Sequence, residues 1–173
     1  MKLTKLFLVL ASFGSLFVAT GGVTLAEPLG KVVVSAKVTP NCVLSSSGDI
    51  EFGPYNPLDA GAKTATGKLT VACTQGAAPV ITLDVGQNGL SGSYNRMKGT
   101  TNGDLLPYEI FQPTVSGTGA TTTQWNGGDT YKLTGAAATS IAPVTYTMYG
   151  QIPINQDVSV DTYADTVTVT VNL

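Results

Sequence analysis

The sequence predicts a single all-β domain, a sandwich or barrel, on three observations. Beyond the N-terminal leader there is no long run of apolar residues at helical spacing. Gly, Ser, Thr, Asn and Pro punctuate the chain at intervals of about ten residues, the spacing of short strands joined by turns. The last stretch alternates strictly: Val167, Val169, Val171 and Leu173 share one phase, and Thr166, Thr168, Thr170 and Asn172 the other, which is the period of a strand with one buried face.

The other strands follow by the same reasoning. Leu69, Val71 and Cys73 are in phase within residues 68–73, and Ile81, Leu83 and Val85 within residues 80–85. Leu106, Tyr108 and Ile110 mark a strand from about Leu105, whose beginning Pro107 assigns to an edge or a bulge because proline has no N–H for a ladder. Val144, Tyr146 and Met148 mark another leading to Gly150. Residues 86–103 and 117–128 are rich in turn formers and are expected to be loops.

The N-terminus reads as an export signal spanning residues 1–26. Lys2 and Lys5 precede an uncharged apolar run from Leu6 to Ala19, and Thr24-Leu25-Ala26 supplies small residues for cleavage. The alternative, a retained anchor, is disfavoured by the Ser, Gly and Thr residues that dilute the span. Removal of the signal takes two of the 9 basic residues and none of the 11 acidic ones. The mature chain then carries 7 minus 11, or −4, and nucleic acid is not an expected partner. Export also bears on the only two cysteines, Cys42 and Cys73: outside the cytoplasm an isolated pair is most simply a disulfide.

In residues 27–39, Val32, Val34, Ala36 and Val38 alternate with Lys31, Val33, Ser35, Lys37 and Thr39 before Pro40 ends the pattern. Two readings stay open: an ordinary first strand of the domain, or a strand lent to another molecule.

Much chemistry is excluded by composition. With no histidine, Ser-His-Asp and Cys-His arrangements cannot form, and ordinary zinc sites lack ligands. The glycines at Gly86, Gly89 and Gly92 lack the strand-to-helix setting of a phosphate loop. Asp49 and Glu51, two apart, would face one side of a strand; as a carboxylate pair they need a pocket to be catalytic, and a solvated face is the simpler reading. Asp161 and Asp165 bracket Tyr163, where turn formation is preferred over calcium binding. No cofactor or metal and no enzymatic activity is expected.

Several motifs occur in an order that resembles the spore coat protein U domain family: Cys42-Val43-Leu44-Ser45, Ile50-Glu51-Phe52-Gly53-Pro54-Tyr55-Asn56-Pro57 and Gly67-Lys68-Leu69-Thr70-Val71-Ala72-Cys73. Arg96-Met97, residues 106–111, Trp125, residues 149–153 with Gln156, and residues 163–171 follow. One departure is Thr162, where the family commonly has glycine before the tyrosine, which leaves the turn geometry there open. The resemblance covers residues 40–173 and implies an archaic chaperone–usher pilin: an immunoglobulin-like sandwich lacking its final strand. Such a subunit is completed by the N-terminal strand of the next, with Val32, Val34, Ala36 and Val38 as the entering side chains. It further implies neighbouring pilin subunits, a periplasmic chaperone and an outer-membrane usher as partners. Adhesion and biofilm formation at the cell surface are the implied roles. A self-completed secreted coat or matrix protein, and a fibre-tip adhesin binding through loops near Tyr94 or Trp125, are the alternatives.

Overall fold

A computed structural model describes residues 30–89, 94–127 and 131–173; the expected signal peptide lies outside them. Two bodies are distinguished, with the break after Ala36. In the first, residues 30–36 form no strand and their side chains are exposed. Among the described residues the second holds ten strands in chain order: β1 (Cys42–Gly48), β2 (Lys63–Cys73), β3 (Val80–Leu83), β4 (Asn95–Gly99), β5 (Leu105–Pro113), β6 (Ala120–Gln124), β7 (Leu133–Thr134), β8 (Val144–Ile152), β9 (Tyr163–Ala164) and β10 (Val169–Asn172). No helix among the described residues is long and apolar enough to cross a membrane.

The strands make a sandwich of the immunoglobulin-like kind. One sheet has the order β1-β2-β8-β5-β4-β9, with β6 added to β5, and the other has the order β10-β3-β7. All described pairings are antiparallel, so each strand presents alternate residues to the space between the sheets. Leu69 and Val71 of β2, Ile81 and Leu83 of β3, Leu106 and Ile110 of β5, and Tyr146 and Met148 of β8 meet there as the sequence phase predicts. Trp125 is fully buried at the centre, and its indole N–H donates to the Ile81 carbonyl at 3.1 Å. A buried indole nitrogen requires such an acceptor.

Pro107 sits where the ladder tolerates it. It lies opposite Arg96 of β4, whereas β8 begins to pair with β5 only at Glu109, so the missing N–H breaks no bond on the other side.

Both expected loops contain a strand. Asn95–Gly99 forms β4 within residues 86–103, and Ala120–Gln124 forms β6 within residues 117–128. Each is too polar for apolar alternation to reveal: β4 buries Asn95, and β6 is mostly threonine, whose β-branching suits an extended backbone without a buried face. The C-terminal strand is shorter than the alternation suggests. It starts at Val169, and Leu173 is exposed.

Candidate functional site

Cys42 and Cys73 are bonded and lie directly opposite each other in the β1–β2 ladder. The bridge fixes the first residue of an edge strand whose remaining side chains are all exposed.

Beyond the disulfide, β1 runs to Gly48 and the chain continues over the inner face of the larger sheet. Two glycines make room for it. A Cβ on Gly67 would come within 2.8 Å of the Ile50 side chain, and one on Gly150 within 2.7 Å of Ile50 and 2.8 Å of Phe52. Phe52 then meets Tyr108 edge to face, ring centres 6.2 Å apart. The Tyr55 hydroxyl donates to the Pro153 carbonyl at 3.0 Å, tying this segment to the loop after β8. Asp49 and Glu51 alternate with the inward Ile50 and Phe52 and are exposed, outside any strand, which corrects the expectation that they share a strand face.

The opposite flank is the approach to β10. The Asp84 N–H donates to the Thr168 carbonyl at 3.0 Å and Thr168 N–H to the Asp84 carboxylate at 2.9 Å. With Val169 opposite Leu83, antiparallel alternation directs the backbone groups of Thr168, Thr170 and Asn172 toward β3, and those of Val167, Val169 and Val171 away from it. On that outer side β10 has no ladder partner among the described residues. β1 is its neighbour in space, without a hydrogen-bonded ladder. Val167, Val169 and Val171 are only half-buried although they carry the most regular alternation in the chain.

Between these flanks lies a cleft of about 800 Å³ with an apolar floor that includes Leu69, Leu83, Ile110, Met148, Val167 and Val169. Its charged lining residues are all acidic: Asp49, Glu51, Asp161 and Asp165. Asp165 accepts from the Tyr108 hydroxyl at 2.8 Å and from the Gln87 N–H at 2.9 Å. Burial, reinforced by the Asp165 carboxylate, raises the Tyr108 pKa well above the ordinary tyrosine value, so the hydroxyl stays a donor. Asp161 accepts from the N–H groups of Asn102 (3.0 Å), Thr101 (2.8 Å) and Thr162 (2.8 Å) and from the Thr100 hydroxyl (3.0 Å). These donors, the Asn102 and Thr101 N–H groups foremost, hold its carboxyl well below the usual range. Asp161 thus ties its own turn to residues 100–102, whereas Asp165 makes long-range contacts to Tyr108 and Gln87. Thr162, where the family commonly has glycine, has no positive φ; its N–H reaches Asp161 and its carbonyl accepts from Thr100 at 3.0 Å.

Of the residues expected to form a donated strand, Val32, Val34 and Val38 are 90%, 91% and 79% exposed, and Ala36 is exposed as well. The larger glycine-bounded trough under Ile50 and Phe52 was not legible as part of a site, because glycine carries no side-chain signal of what docks against it.

An open-edged β-sandwich with an apolar cleft beneath the open edge is the class of domain that the fold defines. The chain belongs to the Spore Coat Protein U domain family, whose model matches residues 29–170. In fold it is similar to a chain in the crystal structure of the CsuC–CsuE chaperone–tip adhesion subunit pre-assembly complex from archaic chaperone–usher Csu pili of Acinetobacter baumannii. That match has a TM-score of 0.56 and 22% identity over 79% of this chain and 40% of the other. A chaperone–tip adhesin complex of CFA/I fimbriae biogenesis matches with a TM-score of 0.49 and 12% identity, over 76% and 40% of the two chains. This chain thus spans about 40% of the length of the solved chains it matches. No curated protein sequence matches it.

Proposed function

We propose that this protein is a structural subunit of a chaperone–usher surface fibre and polymerises by strand donation. Residues 1–26 direct export to the periplasm, residues 27–39 are the donated strand, and residues 40–173 are the accepting sandwich. The observation that carries this reading is the edge of β10 that has no ladder partner among the described residues, beside a cleft floored by half-buried valines. An extended segment laid along that edge satisfies the free backbone groups of Val167, Val169 and Val171 and covers their side chains at once.

The donor is Val32, Val34, Ala36 and Val38 of a second copy. Burying its three valines contributes about 1.5–3 kcal/mol each before the costs of ordering the segment. A segment given by one copy and accepted by the next is a heterologous contact that does not close, so it builds a filament. The same exposed edge is an aggregation hazard before assembly, which gives a periplasmic chaperone its role as temporary strand and an outer-membrane usher its role in export to the surface. Adhesion and biofilm formation are the cellular outcomes of such a fibre, and the chemistry needs no cofactor and no catalysis.

Sedimentation of the mature chain tests this. The parental protein is expected to form a ladder of oligomers and Val34→Asp to remain monomeric and folded, because a carboxylate cannot enter the apolar cleft without a partner. A parental chain that stays monomeric, and that unfolds when residues 27–39 are removed, would instead mean that the segment completes its own sandwich.

A further inference from the structure

The cleft is apolar at its floor and acidic at one end only. The β1–β2 register puts Cys42 opposite Cys73 and Gly48 opposite Lys68, so Asp49 and Glu51 follow β1 at the end away from the disulfide. Residues 74–79 connect Cys73 to Val80, and Asn172 is opposite Val80. β10 therefore begins at the acidic end and finishes at the disulfide end, which places Asp161 and Asp165 with Asp49 and Glu51. Among the described residues, no lysine or arginine lines the cleft. Over residues 40–173 there are ten acidic and five basic residues, whereas residues 30–39 contain Lys31 and Lys37 and no acid.

Register parity decides where those lysines go. Val167 and Val169 line the cleft and Val171 shares their phase, so a donated strand puts its valines there only if even-numbered donor residues lie opposite odd-numbered residues of β10. Lys31 and Lys37 then face outward, as Asp49 and Glu51 do beside the inward Ile50 and Phe52. Antiparallel pairing, the more stable ladder, runs the donor from the disulfide end to the acidic end. Lys31 and Lys37 are six residues apart, about 20 Å of strand, so only Lys37 reaches the acids.

Building on the proposed function, we infer that the acidic rim of the cleft selects a lysine-bearing donor strand, with Lys37 of a second copy beside Asp49 and Glu51. The contact steers encounter and fixes donor direction, while the valines supply the affinity.

The test follows polymer growth of the full mature chain after dilution from denaturant with the disulfide intact, at low salt and at about 1 M salt, where the screening length is about 3 Å. Lys37→Glu is expected to slow growth on the order of tenfold at low salt, with the difference shrinking to about twofold at high salt. Asp49→Lys with Glu51→Lys should restore the rate in the Lys37→Glu background, since every copy carries both donor and rim. Lys31→Glu should change little. Parental growth by Lys37→Glu at low salt, a charge swap that fails to restore it, or a loss found with Lys31→Glu in place of Lys37→Glu would each overturn the inference while leaving strand donation standing. A parental chain that does not polymerise overturns both.

Discussion

Removing the disulfide should loosen one flank of the cleft while leaving the core folded. The bridge joins residues 31 apart. The chain-entropy relation gives about 12 cal/mol/K for a loop of that size, or about 3.7 kcal/mol at 25 °C. β1 has little else to hold it. Among the described residues it pairs with β2 alone, and Val43 and Leu44 remain 50% and 38% exposed. For a domain of this length, with an unfolding entropy of about 2.1 cal/mol/K per residue, 3.7 kcal/mol corresponds to a fall in Tm of about 13 °C. The measurement is thermal unfolding by circular dichroism of Cys42→Ala/Cys73→Ala in a Val34→Asp background, so that polymerisation does not raise the apparent stability. Hydrogen exchange on the same protein should show the amides of β1 losing more protection than those of β3, β5 and β8, which exchange through global unfolding and fall only with the overall stability. A Tm within about 3 °C of the disulfide-bonded parent would refute the reasoning, because β1 would then be held by contacts the geometry does not show. A loss in β1 no larger than that in β3, β5 and β8 would refute it from the other side.

Gly150→Val should cost about 1–3 kcal/mol by overpacking against Ile50 and Phe52; urea unfolding measures it, and the variant should also polymerise more slowly as that flank is displaced. Tyr108→Phe leaves the Asp165 carboxylate without its 2.8 Å donor and is expected to lower stability by about 1–3 kcal/mol, with an unchanged urea midpoint counting against the role assigned to that pair. Asp161 is held below its ordinary value of 3.8 by backbone donors, so its contribution is complete above that value and is lost as pH falls through the depressed folded-state pKa. Stability measured from pH 5 to pH 2 should therefore fall less steeply in Asp161→Asn than in the parent; parallel slopes would contradict the assignment.

The strands legible in the sequence are those whose apolar residues alternate: β2, β3, β5, β8 and the C-terminal strand. Their signal is local, because a half-buried strand writes its buried face into every second residue. β4 and β6 were hidden because they bury asparagine or present threonine. The disulfide was legible from compartment and count. The cleft was legible in only one of its flanks. Its other wall depends on Ile50 and Phe52 reaching Gly67 and Gly150 across the sheet. Its polar end depends on Tyr108 meeting Asp165, 57 residues away. Neither contact has a local pattern, since both partners are fixed only once β2, β5 and β8 have paired.

The residues that alternate most regularly are also the ones least well buried, and this mismatch bears directly on assembly. A period-two apolar face is maintained where burial rewards it, and in β2, β5 and β8 the matching residues are buried. In Val167, Val169 and Val171 the face is present but half-open, and in Val32, Val34 and Val38 it is exposed. One incomplete face calls for a cover and the other for a floor. Among the described residues β10 has no ladder partner on its outer side, and the extended strand proposed above would satisfy those backbone groups where a helix or loop would not. In the proposed pairing, parity admits the segment 31–39 only with its lysines outward. If that pairing holds, the register that buries the valines is also the one that turns Lys37 toward the acidic rim, and a single-residue slip would lose both interactions together.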